Sequence, residues 1–330
     1  MQGKKTLSIG VIGMGKMGLL HASIVNTIPN VRLSAIYDKS PIMKRFAGKA
    51  LNDIYVTDSF DKFTGLKYDA VYVTTPIPTH FSIVKEIYSL GIAKNIFVEK
   101  TLTSSYEQSA VLCREAKAAS GVTMVGYMSR FAPTFQKARA LLQEEMIGNP
   151  ISFKAYAYAS DFAGVKRKSL PGKGGATSDL GAHVIDISLW FFGELEVEPA
   201  VPGFSGTENY ESGSRFKVHS SKGLTGEFDI SWSKAGYRLP EFGLAISGSK
   251  GVITVNADVV KLEKNAGNII SWHRQDLHDN VPFLLGAPEY YREDEHFISA
   301  ILENGSAEPD FVTASKVDLL IDRVESRMDV

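Results

Sequence analysis

Four groups of residues in this chain combine side-chain type and spacing in ways that could do chemistry. The first is Gly13-Met14-Gly15-Lys16-Met17-Gly18, a G-x-G-x-x-G turn between the apolar run Leu7–Ile12 and a helical pattern. In such a turn the first glycine permits the tight bend and the second lets a pyrophosphate approach. The third lets the helix pack on the strand. The start of the helix adds free N–H groups and the positive end of its dipole. Asp38 stands 20 residues after Gly18, at the end of a second apolar run, Val31–Tyr37. A carboxylate there can accept hydrogen bonds from an adenosine ribose. Gly13, Gly15, Lys16, Met17, Gly18 and Asp38 therefore read as a dinucleotide cradle. The charge of Asp38 repels a 2′-phosphate and favours NAD, while Lys39 beside it keeps NADP open.

The second and third groups, Thr75-Pro76-Ile77-Pro78-Thr79-His80 and Glu99-Lys100-Thr101, each follow a short apolar run. In an open α/β sheet the carboxyl ends of strands rim the ligand crevice. Thr75, Pro76, His80 and Glu99 are thus candidates to border the cofactor. Lys100 can hydrogen-bond a substrate hydroxyl and stabilise its developing negative charge. The bland alternatives are a packed, satisfied histidine at a helix start and a solvated lysine at a strand end.

The fourth group lies in the run Gly174-Gly175-Ala176-Thr177-Ser178-Asp179-Leu180-Gly181-Ala182-His183-Val184-Ile185-Asp186. On a helix, Asp179 and His183 share a face at i, i+4, and Asp186 continues the stripe. An imidazole can take the proton of an alcohol undergoing oxidation, and a nearby carboxylate can orient it or bind substrate. A capping Asp with a buried His is the competing interpretation. No further His or Cys completes a local metal site, so no metal is expected.

The elements that must position these groups follow from periodicity. Leu7–Ile12, Val31–Tyr37, Ala70–Thr74, Ile96–Val98 and Val122–Gly126 read as buried strands. Helical patterns run to about Ile28, over Thr79–Leu90 and over Ser104–Ala119, the last opened by a Ser cap with Glu107 three residues on. Alternating strands and helices predict a doubly wound parallel sheet, placing a dinucleotide-binding domain at 1–126. From 127 to 330 the texture changes. A helix over Thr134–Met146 stops at Gly148-Asn149-Pro150. Strand patterns then cover Ile151–Tyr158, Arg215–Ser220, Gly226–Trp232, Leu244–Ser247, Val252–Val255 and Ile269–Trp272. A helix at Thr177–Phe192 interrupts them, and two more, Tyr290–Glu303 and Thr313–Arg327, close the chain. This predicts a second α/β domain with an open, mainly antiparallel sheet, serving substrate binding and oligomerisation.

Composition narrows the partners. A length of 330 residues suits two cores, and 44% hydrophobic with 22% charged residues is ordinary for globular chains. A formal net charge of −1 argues against capture of nucleic acid or an acidic membrane surface. The lone Cys113 has no intramolecular partner and reads as a small core residue. No stretch reaches the roughly 18 apolar residues of a membrane span, and the start has no signal-peptide pattern, so a cytoplasmic location is expected.

The order and spacing of these motifs resemble the family named for glucose–fructose oxidoreductase, inositol dehydrogenase and rhizopine catabolism (Gfo/Idh/MocA). The shared pieces are Gly13–Gly18, Thr75-Pro76…His80, Glu99-Lys100, Gly126-Tyr127…Arg130-Phe131 and Gly174-Gly175…Asp179-x-Gly181-x-His183-x-x-Asp186…Trp190. The resemblance implies a Rossmann domain followed by an α/β domain, and a catalytic set of Lys100, Asp179 and His183. It groups Tyr127 and Arg130 with these as substrate-binding residues. It also implies an NAD(P)-dependent dehydrogenase for a secondary alcohol or ketone of a sugar, polyol or sugar nucleotide, assembled as a homodimer or homotetramer. An NAD-retaining glycoside hydrolase and a non-catalytic sugar or dinucleotide sensor on the same scaffold are the alternatives. Two positions depart from the family pattern: Thr101 stands where Pro is usual, and Ile77 where Asn is common.

Overall fold

The computed structural model describes residues 6–43, 45, 54–160, 175–199, 203–207, 210–265, 267–284 and 286–326. By their contacts these form two units: 1–127 with 281–315, and 128–280 with 316–330. That division differs from a single cut at 126/127, because the segment 281–315 packs with the N-terminal unit.

In the first unit, β1 (Leu7–Ile12), β2 (Val31–Tyr37), β3 (Tyr55–Thr57), β4 (Ala70–Val73), β5 (Asn95–Glu99) and β6 (Thr123–Gly126) form a parallel sheet of order β3-β2-β1-β4-β5-β6. This is the strand order of doubly wound dinucleotide-binding sheets. Ile9, Val11, Ile12, Val71, Val73, Ile96 and Val98 have no exposed surface, as expected of strands covered on both faces. The helices are α1 (Lys16–Val25), α2 (Phe60–Thr64), α3 (His80–Ser89) and α4 (Tyr106–Ala119). The cap of α4 is Ser105, whose hydroxyl accepts the Gln108 N–H, so the expected cap at Ser104 moves by one residue. Asn95 ties strand starts together: its amide donates to Asp69 O and its side-chain oxygen accepts the Val122 N–H.

The second unit opens with α5 (Pro133–Gln143) and β7 (Pro150–Tyr158). A π turn over Thr177–Gly181 then leads into α6 (Ala182–Phe192). Next come β8 (Glu196–Val197), β9 (Gly203–Thr207), β10 (Tyr210–His219), β11 (Thr225–Ser231), β12 (Glu241–Gly248), β13 (Gly251–Asn256), β14 (Val259–Lys264) and β15 (Ile269–His273). Their sheet runs β15-β14-β13-β12-β7-β11-β10-β8, with β9 paired to β10. All its ladders are antiparallel except β7–β11. Phe153, Ala155 and Ala157 face inward from β7 while Lys154, Tyr156 and Tyr158 alternate outward, the period of a half-buried strand. β14 escaped the sequence analysis although Val260 and Leu262 are buried between exposed Lys261 and Glu263.

α7 (Pro288–Leu302) returns to the first unit and packs on α1 and β6. There Phe297 meets Tyr72 and Phe97 at ring-centroid distances of 5.5 and 5.8 Å. The last helix, α8 (Phe311–Glu325), crosses from the first unit into the second at 315/316. Among the described residues no helix is long and apolar enough to cross a membrane.

One contact constrains α1 more than any other. A Cβ on Gly18 would sit 1.8 Å from the Gly13 carbonyl oxygen, and the atoms in the way are backbone. Gly18→Ala should therefore destabilise the protein by about 1–3 kcal/mol or more, as overpacking does. A thermal melt checks this, and an unchanged midpoint would show that α1 can move aside.

Candidate active site

The glycine turn is built from three different physical demands. Gly13 has φ +95°, a left-handed conformation that penalises side chains, and its N–H donates to Tyr37 O at 2.8 Å. Gly18 is held by the close approach just described. At Gly15 an added Cβ would meet nothing within 4 Å, so no protein atom demands glycine there. The demand comes from what approaches the turn from outside. No side chain caps α1, so its first N–H groups remain available to an anion.

Asp38 closes the turn. Its Oδ2 accepts the Met14 N–H at 2.6 Å and its Oδ1 accepts the Ser40 N–H at 2.7 Å. A carboxylate has about four acceptor sites, so these two bonds leave capacity for ribose hydroxyls. Lys16 is exposed and Met17 half-buried at the start of α1. The turn therefore fits a dinucleotide: an uncapped helix start, room at the second glycine and an acidic strand end.

Two loops end β4 and β5 at the same edge of the sheet. Thr74 Oγ1 lies 2.8 Å from Gly13 O and binds the first loop to the glycine turn. Pro76 is exposed and Thr75 half-buried. His80 is fully buried, with Nε2 2.7 Å from Thr75 O and Nδ1 2.9 Å from Thr101 O. Two carbonyls favour the cation, but burial outweighs them and holds the imidazole below its ordinary pKa. His80 thus pins the two loops to each other. The Lys100–Thr101 peptide is cis.

Glu99 is 8% exposed and turned inward. Its Oε1 lies 2.9 Å from His21 Nε2 and its Oε2 accepts the Lys100 N–H at 3.0 Å. Its carboxylate is thus engaged with groups of the protein itself. Lys100 itself is half-buried where β5 ends. Tyr127, just past β6, is fully buried.

In the second unit the expected stripe is divided. Asp179 belongs to the π turn and His183 to α6, so the run Thr177–Phe192 is not one α-helix. Both side chains are half-buried. The ring of His183 stacks on Phe242 of β12, centroids 5.2 Å apart and 6° from parallel. Asp186 is fully buried and holds Arg130 through Nε and Nη2 at 2.6–3.1 Å. Arg130 is 6% exposed, with its guanidinium on Asp186. Trp190 lies against both Arg130 and Arg139, 5.7 and 4.5 Å from ring centre to guanidinium carbon. Gly174, at the start of the expected motif, lies with residues 161–173 outside the described residues.

Sequence reasoning missed Phe242, His21, Asp294 and Glu211. Glu211 on β10 accepts the Thr177 N–H at 3.0 Å and so caps the π turn. A Cβ on Gly175 would sit 1.9 Å from Glu211 Oε2, so a side chain there would push the cap off Thr177. Nothing local in the sequence announces a cap 34 residues away.

The strand order, glycine turn and acidic strand end are those of dinucleotide-binding domains. Family models agree: "Oxidoreductase family, NAD-binding Rossmann fold" matches residues 7–127, and "GFO/IDH/MocA C-terminal domain" matches 135–254. The chain belongs to the Gfo/Idh/MocA oxidoreductase family. It is 28% identical to scyllo-inositol 2-dehydrogenase (NAD(+)) of Bacillus subtilis over 56% of this chain and 53% of that protein, about half the length of each. It is 26% identical to inositol 2-dehydrogenase of Rhizobium meliloti over 92% of this chain and 91% of that one. A levoglucosan dehydrogenase solved with NADH and levoglucosan shares the fold at TM-score 0.86 and 21% identity, covering 98% and 97% of the two chains.

Burial pushes Glu325 of α8 up to about 7 from an ordinary 4.5, aided by the charges of Glu211 and Asp322. The folded state then keeps a proton that the unfolded chain releases above pH 4.5. Stability from this group is present at low pH and lost as pH rises through about 7. Glu325→Gln should match the parent's melting temperature near pH 5 and exceed it by a degree or two near pH 8 (roughly; partial exposure screens the effect). Melts of both proteins across that range check the sign.

Proposed function

We propose that this protein is an NAD-dependent dehydrogenase acting on a secondary alcohol of a sugar or polyol, or on the matching ketone. In this reading residues 1–126 bind the dinucleotide and 127–330 bind substrate, with α7 supporting the former. The observation that carries it is in the first unit. Parallel β1 and β5 end at one edge of the sheet, so the glycine turn, with Asp38 beside it, and Lys100 emerge together. Relatives named for inositol and a structural neighbour named for levoglucosan support a cyclic polyol or sugar.

NAD, when bound, accepts hydride from the carbon that carries the hydroxyl. The chain supplies the rest. Gly15 and the uncapped start of α1 hold the pyrophosphate, and Asp38 accepts the ribose hydroxyls. His183 takes the hydroxyl proton, its ring held in one plane by Phe242. Lys100 donates a hydrogen bond to the oxygen as it becomes negative. Asp179 positions substrate or His183. Tyr127, fully buried just past β6, is kept in this reading as a substrate-side residue.

Self-association belongs to the same reading. The outward face of β7, β10 and β11 carries Tyr156, Tyr158, Arg215, Glu227 and Asp229 around an open depression of about 600 Å³, a surface suited to a second copy. Light scattering should give a mass at least twice the 36.1 kDa of the chain.

Calorimetric titration should show NAD binding more tightly than NADP, with the gap narrowed in Asp38→Ala. Gly15→Ala should keep the melting temperature and lose NAD binding; a clear NADP preference would remove Asp38 from its role. A panel of inositols, sugars and sugar nucleotides, followed by NADH absorbance, should identify a substrate. On it, Lys100→Ala and His183→Ala should each lower kcat by about 10²–10⁴-fold, with NAD affinity little changed in the second. Normal kcat and an unchanged pH profile in His183→Ala would discard His183 as the base.

A further inference from the structure

Beneath the end of β5 lies a cluster of ionisable groups that the proposed reaction does not use. His21 of α1 is fully buried, one turn beyond the glycine turn. Its Nδ1 faces Asp294 of α7 at 2.8 and 3.0 Å, and its Nε2 faces Glu99 at 2.9 Å. Tyr72, Phe97 and Tyr290 enclose the ring, with centroids 5.0–6.2 Å away. Carboxyl groups on opposite ring nitrogens favour the imidazolium, although burial pushes the Asp294 carboxyl itself upward against the pull of His21. They raise the His21 pKa well above its ordinary value despite burial. The same bonds hold the Glu99 carboxyl below its usual range although it is buried. Glu293 is also fully buried, has no hydrogen-bond partner among the described residues, and has its carboxyl pushed upward by burial.

Buried ion clusters are a poor way to gain stability, since apolar packing of equal volume commonly does as well. What such a cluster supplies is direction. Asp294 fixes the orientation of His21, and His21 fixes Glu99 Oε1. The other oxygen, Oε2, accepts the amide hydrogen of Lys100. Every link is short and every group but Lys100 is buried.

We propose that Asp294 and His21 are positioning residues, forming a buried chain through Glu99 that holds the Lys100 backbone in one pose where β5 ends. The proposal rests on the role given to Lys100 above, and its direct readout does not. The elements facing His21 are β4 through Tyr72, β5 through Phe97 and Glu99, and α7 through Tyr290, Glu293 and Asp294. No group among them other than His21 balances the Glu99 charge from the buried side.

The test is hydrogen exchange and kinetics of the full chain carrying His21→Gln or the gentler Asp294→Asn. Exchange of the Lys100 amide should quicken at least tenfold in either variant, while amides of β4 stay at the parent rate. With a substrate from the panel, kcat should fall by about 10–100-fold while the KM for NAD stays within about twofold of the parent, the signature of a small misplacement of a reacting group. In a Lys100→Ala background, His21→Gln should change kcat less than about twofold, because the two act through one pose. Unchanged Lys100 exchange would overturn the proposal, as would exchange quickened equally across the sheet, or a full additional loss of kcat in the double variant. If Lys100→Ala alone keeps kcat, the role of Lys100 in the reaction fails, and the exchange data still decide whether the chain positions its backbone.

Discussion

The contact on which the first unit depends is the approach of Gly18 to the backbone of Gly13. Because no side chain intervenes, α1 lies directly against the end of β1. That closeness fixes the direction in which α1 leaves the turn and aims its uncapped N–H groups outward. It also carries His21, one turn later, under β5 rather than away from it. The uncapped start of α1 and, one turn on, the His21 that meets Glu99 thus lie on one helix placed by one glycine. Thr74, bonded to the Gly13 carbonyl, extends the same constraint to the loop after β4.

The second unit solves a different problem, holding reactive-type side chains on an irregular helix start. A π turn frees backbone groups that an α-helix would satisfy, and such turns concentrate at functional sites. Here Glu211 takes up the Thr177 N–H, one of those any helix start leaves open, and Gly175 leaves room for it. Below, the Arg130–Asp186 pair and the stacked Trp190 fix the helix that bears His183. Polar residues near the site therefore divide into those that face a ligand and those that hold the facing ones. Composition cannot separate the two kinds, since both use Asp, Glu, His and Arg.

How far a site residue could be read depended on whether its role is local. The glycines at 13 and 18 follow from turn geometry, and the structure shows the local demands behind them; Asp38 follows from its place at a strand end, where it accepts the Met14 and Ser40 N–H groups. For Arg130, Glu99 and His80 the residue type and the strand-end position were legible, but not the direction of the side chain. His80 could have faced a cofactor; instead it bridges two carbonyls. Arg130 could have faced substrate; its guanidinium lies on Asp186, 56 residues away. The i, i+4 pairing of Asp179 and His183 assumed a continuous α-helix, which the π turn interrupts.

By itself the sequence determined the two textures of the chain: buried apolar runs between helices first, then period-2 strands with short turns. It also determined the glycine turn, the acidic strand end and the candidate Lys, Asp and His, because periodicity and turn chemistry act within a few residues. Only the tertiary structure decided that α7 returns to the first unit, that β7 and β11 pair in parallel, and which acids face His21. Asp294 lies 273 residues from His21 and Glu99 lies 78. Contacts at that separation are chosen by the packing of whole elements, and no local propensity encodes them.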